Sequence, residues 1–166
     1  MQAAHTPNRK GKPSSTHETI AEGFGFLTAD HFLTKDDFDQ SIDGDKAGIV
    51  IRCRGSKWID LYPTKGKNSV EAEAAFADFE GPWKTVQYFY SDDAPELLSA
   101  ARARGWTQGT ATPGRPETNG AAENAVRQVL EGTRTALEHA GFGPKWWSFA
   151  GKHFCIATNI TEVDGK

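Results

Sequence analysis

One run of residues, Thr85–Tyr90 (TVQYFY), does most to limit what this 166-residue chain can fold into. It is dense in β-branched and aromatic side chains and predicts a strand. It runs directly into Ser91-Asp92-Asp93, after which Pro95–Arg104 predicts a helix stopped by Gly105. Asp93 and Glu96 have capping-box spacing, which makes Asp93 the expected cap, and Pro95 suits the first turn. A short strand is expected near Trp106–Thr110.

Upstream, Phe24–Asp30 predicts a strand that ends in an acid. Gly48–Cys53 and Lys57–Leu61 predict two more, joined through Arg54-Gly55-Ser56. Asn68 or Ser69 is placed to cap a helix over Val70–Phe79, with Val70, Ala74, Phe76 and Ala77 as its apolar stripe. The longest predicted helix is Ala121–His139, with Val126, Val129, Leu130, Thr133 and Leu137 inward. Trp146–Asn159 predicts a buried, aromatic-rich helix in which Trp146-Trp147 anchors the core. Strands alternating with helices, preceded by a hairpin, give an α/β fold with a mixed sheet. Residues 1–21 are expected to be a flexible tail or linker, 22–160 the folded core and 161–166 a short C-terminal tail.

Composition removes several classes. Hydrophobic residues make up 37% and charged residues 25%, which is globular, not disordered. No apolar run reaches the roughly 18 residues needed to span a bilayer, and the N-terminus has no apolar segment of the secretory type. Cys53 and Cys155 are far apart and form no CxxC, so they are expected as buried, reduced thiols and not as a disulfide or zinc framework. The acidic segment Asp36–Asp45 fails as a calcium loop, because Val50 falls where a bidentate Glu is required, and it is expected to be a solvated turn. Net charge is −3, which by itself does not suggest a nucleic-acid binder.

Three carboxylates stand out by position. Asp30 ends the first strand, Asp92 ends the TVQYFY strand, and Glu123 lies in the first turn of the longest helix. Chemistry in open α/β sheets gathers at such strand ends and helix starts. Converging acids repel, raising at least one pKa, and a divalent cation relieves the repulsion. Hard oxygen ligands suit Mg²⁺ or Mn²⁺, and two such ions form a clamp for in-line attack on phosphodiesters. Asn119, Glu123 and Arg127 share a helix face, which predicts a half-buried Glu123 and an Arg127 able to meet phosphate, with Arg134 further along that flank. Each acid alone also fits a plain role as turn residue, cap or helix-dipole partner. His31 should point to the face opposite Asp30.

Three segments together resemble the catalytic core of retrotransposon and retroviral integrases, in the ribonuclease H-like superfamily. They are Thr28-Ala29-Asp30-His31-Phe32, Ser91-Asp92-Asp93-Ala94-Pro95-Glu96-Leu97, and Pro113-Gly114-Arg115-Pro116-Glu117-Thr118-Asn119-Gly120-Ala121-Ala122-Glu123-Asn124. The style is nearest to Copia- or Gypsy-type long-terminal-repeat elements. Two departures stand out: Asp93-Ala94 replaces the family's usual Asn-Gly, and the segment between Asp92 and Glu123 is shorter than in the common pattern.

The resemblance implies a mixed five-stranded sheet flanked by helices. It implies a metal-binding catalytic triad of Asp30, Asp92 and Glu123 holding two Mg²⁺ or Mn²⁺ ions, and DNA contacts from Asn119, Arg127 and Arg134. It further implies cutting of DNA 3′ ends and joining to target DNA, a homodimer or larger assembly, no membrane partner, and an intracellular, nuclear place of action. The family's zinc module and C-terminal domain are not expected within these 166 residues. Two other readings keep the fold and change the role: a degenerate DNA- or protein-binding module, or a related nuclease that cuts without joining.

Overall fold

A computed structural model of the chain describes residues 24–35, 40–83, 86–110 and 120–164. The strands are β1 (Phe26–Leu33), β2 (Ala47–Cys53), β3 (Ile59–Thr64), β4 (Tyr88–Ser91) and β5 (Thr107–Thr110). The helices are α1 (Ser69–Glu80), α2 (Pro95–Ala103), α3 (Gly120–Ala140) and α4 (Trp147–Asp164), with single 3₁₀ turns at Gly81–Trp83 and Pro144–Trp146. The sheet order is β3-β2-β1-β4-β5. β1 pairs antiparallel with β2 and β2 with β3, whereas β4 runs parallel to both β1 and β5. This is the mixed five-stranded sheet flanked by helices that the sequence led to.

Side-chain alternation along β1 divides the molecule into two cores. Leu27 and Ala29 face a cluster with Phe76 and Phe79 of α1, Leu97 of α2, Phe89 and Trp106. There the Phe76 ring lies 4.9 Å from Phe89 and 5.0 Å from Trp106. Phe32, on the other face, meets Trp147 at 5.4 Å, beside a cluster of Val50, Ile59, Leu61, Ala125, Val129 and Cys155 under α3 and α4. Cys53 and Cys155 are buried free thiols, as expected.

Several expectations shift. The described part of the TVQYFY strand begins at Tyr88 and extends through Ser91, while Thr85 lies outside the described residues. The Asn68 cap is present, its side-chain oxygen accepting the Glu71 amide at 2.9 Å. However, α1 buries Ala72, Ala75, Phe76, Phe79 and Glu80, and leaves Val70 76% exposed, because its docking on the sheet selects a different stripe. Of the acidic turn, residues 36–39 lie outside the described set, and Asp45 is buried, not solvated. It accepts from Ser41 Oγ at 2.7 Å and Lys65 Nζ at 2.8 Å, which pins this loop to the end of β3.

The last helix is also not wholly buried. One face packs on β3 and α3, while Phe149, Ile156 and Ile160 on the other stay more than half exposed. It continues to Asp164, into the segment expected as a tail. Trp147 is the core anchor; Trp146 sits at the surface with Phe142 and Phe149.

Helices α3 and α4 approach closely at two glycines. A Cβ on Gly132 would stand 2.2 Å from the Phe154 ring, and one on Gly151 would stand 2.3 Å from Leu61 Cδ2 and 2.9 Å from Thr133 Oγ1. Alanine is the better helix former by about 1 kcal/mol, but overpacking costs about 1–3 kcal/mol. Gly132→Ala and Gly151→Ala are therefore each expected to lower the urea midpoint. A raised midpoint in either would show that the helices can separate without loss.

Candidate functional site

Parallel pairing of β1 with β4 brings two of the acids together. Phe26 lies opposite Tyr88 and Thr28 opposite Tyr90. Carried two residues past the end of that ladder, the same offset sets Asp30 beside Asp92. Both continue the β1 face that carries Phe32, the side covered by α3 and α4. Glu123 is in the first turn of α3, the helix lying over β1 and β2.

The electrostatics record this convergence. The Asp30 carboxyl is pushed up to about 6, first by burial and then by the charges of Asp92 and Glu123. The His31 backbone amide, donating to Asp30 Oδ1 at 2.7 Å, and the Lys67 charge oppose the rise. Asp92 Oδ1 is buried with no hydrogen-bond partner among the described residues. A buried carboxylate oxygen without a donor is costly unless a cation faces it.

Glu123 is exposed, not half-buried. Its neighbours Ala122 and Ala125 take the inward positions of that turn. Asn119 lies outside the described residues. Arg127 is exposed and donates to Asn124 Oδ1 at 2.7 Å. Arg134, also exposed, borders a separate hollow with Lys35 and Trp147, so the two arginines do not line one surface pocket.

Asp93 does not cap α2. Ala94 occupies the N-cap position and gives no side-chain bond, which leaves Asp93 one residue too early and exposed. Pro95 in the first turn has no amide to offer. Glu96 instead turns towards His31, with Oε1 3.5 Å from Nδ1. His31 is indeed on the face opposite Asp30, packed against α2, and burial holds its pKa down.

Lys67 was not among the expected site residues. It belongs to the β3–α1 connection, and its charge acts on both Asp30 and His31. The antiparallel order of β1, β2 and β3 explains this, since the C-terminal end of β3 lies at the same sheet edge as the end of β1.

The donor chemistry at this edge is that of a hard divalent cation: carboxylate oxygens, one with a raised pKa and one without a donor. As they stand, no three acid, histidine or cysteine side chains among the described residues close on a single ion. No described helix is long and apolar enough to cross a membrane.

No protein-family model matches the chain. Its fold matches the catalytic core domain of BIV integrase with a TM-score of 0.54 at 14% identity, over 78% of this chain and 81% of that one. It also matches a chain of the simian T-cell lymphotropic virus intasome with a TM-score of 0.59 at 15% identity, over 79% of this chain and 48% of that one. The fold is that of an integrase catalytic core. In sequence, the chain is 30% identical over 111 residues to the Retrovirus-related Pol polyprotein from transposon RE1 of Arabidopsis thaliana. That stretch is 63% of the chain and 7% of the polyprotein, a distant relationship to one short part of a long protein.

Proposed function

We propose that this integrase-type core is a divalent-metal-dependent DNA strand transferase, which cuts DNA 3′ ends and joins them to target DNA. The observation that carries the reading is the β1–β4 register, which sets Asp30 beside Asp92 while Asp30 also feels Glu123. In this reading Asp30, Asp92 and Glu123 hold one or two Mg²⁺ or Mn²⁺ ions. Such ions, when bound, lower the pKa of an attacking water or 3′-OH and offset charge on the leaving oxygen.

The chain's own contribution is placement. Asp30 and Asp92 stand on a rigid sheet edge, which fixes the separation of their oxygens. Glu123 approaches from α3 and, being exposed, has room to turn inward. Arg127 and Arg134 supply fixed positive charge along α3 for backbone phosphate. Asn119 belongs to the same proposed DNA contact. Homo-oligomers accompany this reading, because two DNA ends must be joined in one complex, and a nuclear place of action is part of the same proposal.

A disintegration assay tests the reading. The chain is given a branched, strand-transfer-like DNA in Mn²⁺, beside Asp92→Asn and Glu123→Gln. Resolution by the parent and a loss of at least about a hundredfold in both variants is expected. Cutting without joining would assign the chain to a related nuclease. No resolution by folded protein that also fails to bind Mn²⁺ would assign it to a binding module, the role favoured by the absence of a closed three-ligand cluster among the described side chains.

A further inference from the structure

A second hollow, of about 440 Å³, lies against edge strand β3 and the end of α1, away from the carboxylate edge. Its walls include Phe24, Trp58, Tyr62 and Phe79, with the carboxylates of Asp60 and Asp78 between them. Alternation along the edge strand places Asp60 and Tyr62 on one face, with Trp58 just before it in the same phase, while Ile59 and Leu61 fill the core on the other. Trp58 is 48% exposed, and Asp78 makes no ion pair among the described residues.

Aromatic faces beside carboxylates are the chemistry of a site for an organic cation. One cation of this chain already uses it. Lys152 Nζ stands 5.1 Å over the Tyr62 ring, and its charge lowers the Asp60 pKa against the effect of burial. That lysine covers the Tyr62 ring, while the Tyr62 hydroxyl is hydrogen-bonded to the Asp60 and Asp78 carboxylates and Trp58 stays exposed beside them.

The chain enters the described structure at this hollow. Phe24 is its first described residue, and its ring stacks on Phe79 at 5.9 Å. The residues before it carry Arg9, Lys10 and Lys12. The stretch from Lys12 to Phe24 reaches up to about 40 Å at 3.3–3.6 Å per residue, far more than the width of the hollow. A tether of this kind supplies an effective concentration in the millimolar range.

We infer that the hollow formed by Phe24, Trp58, Asp60, Tyr62, Asp78 and Phe79 is a docking site for the chain's own basic segment Arg9–Lys12, whose cationic side chains seat between the Trp58 ring and the two carboxylates. This contact is independent of strand transfer, and it holds the approach to the core against the β3 edge.

The test follows the Trp58 indole N–H resonance in the full chain, assigned with Trp58→Phe. The parent is compared with the triple variant Arg9→Gln, Lys10→Gln, Lys12→Gln. The resonance is expected to move in the triple variant and to move the same way in Asp60→Asn, Asp78→Asn. Raising NaCl to about 0.5 M should bring the parent to the triple variant's position, since screening then acts within a few ångströms. A peptide of residues 6–16 added to the triple variant should move the resonance towards the parent position, half-way at a concentration well below the millimolar effective concentration of the tether. Identical Trp58 resonances in parent and triple variant at low salt would overturn the inference. So would that peptide shifting the parent as readily as the triple variant, since the hollow would then be open to a partner and not filled by its own chain.

Discussion

Asp30→Asn is expected to abolish DNA joining while raising the thermal stability of the metal-free chain at neutral pH. The two effects have one cause. In the folded chain the Asp30 carboxyl is pushed up to about 6, by burial first and then by Asp92 and Glu123. Between the ordinary aspartate value of 3.8 and this folded value, the folded state binds more protons than the unfolded state. Its stability is therefore full below about pH 4 and falls as pH rises through about 6. At pH 7.5 the ionised carboxylate costs about 1–2 kcal/mol, from about 1.36 kcal/mol per pKa unit reduced for solvent screening of a half-buried group.

Asparagine removes that charge and keeps an oxygen for the His31 amide, now 2.7 Å from Asp30 Oδ1. A gain of about 1–2 kcal/mol at pH 7.5 follows, or about 2–8 °C in the melting midpoint for a domain of this size, vanishing below pH 4. Mn²⁺ should stabilise the parent and reverse the order, because it binds only where the carboxylate remains. Thermal melts at pH 4 and 7.5, with and without Mn²⁺, measure all of this. An asparagine variant that melts below the parent at pH 7.5 without metal would contradict it.

Removing the Glu80 side chain is expected to be strongly destabilising. Glu80 ends α1, and its side chain is 3% exposed. Its carboxylate pairs with Arg104 at the end of α2. It also accepts from the Trp106 indole and the Val86 amide, each at 3.3 Å. Glu80→Ala leaves a guanidinium, an indole N–H and a backbone amide without their acceptor in the first core, which costs about 3–5 kcal/mol.

The melting midpoint should fall by about 10 °C or more. Glu80→Gln retains an acceptor for the indole and amide and should lose less. Glu80→Leu combined with Arg104→Met removes both charges, and it should recover most of the loss because a buried pair offers little net advantage over packed apolar groups. Urea unfolding of the four proteins measures these differences. A loss under 1 kcal/mol in Glu80→Ala would mean that water replaces the carboxylate.

The site was partly legible from local pattern. A strand that ends in an acid is visible within seven residues, so Asp30 and Asp92 stand out in the sequence without any knowledge of strand pairing. The register that joins them was not visible, because it depends on how the β4 chain returns alongside β1. Asp93 does not cap α2 for a related reason: the capping-box spacing is present, but α2 begins one residue later than that spacing requires. Lys67 gave no local signal, since its approach to Asp30 comes from the order of three antiparallel strands.

Interactions reaching no more than four or five residues along the chain were set by the sequence alone. Asn68 caps α1 because its oxygen needs only the Glu71 amide, and Val129 and Thr133 face inward because a long amphipathic helix has one apolar side to offer. The tertiary structure decided which stripe of α1 is buried, that Glu80 is buried at its end, that Glu123 is exposed and that one face of α4 stays open. These follow from where each element docks. Docking minimises exposed apolar area and unpaired charge over the whole molecule, a sum to which any short segment contributes only one term.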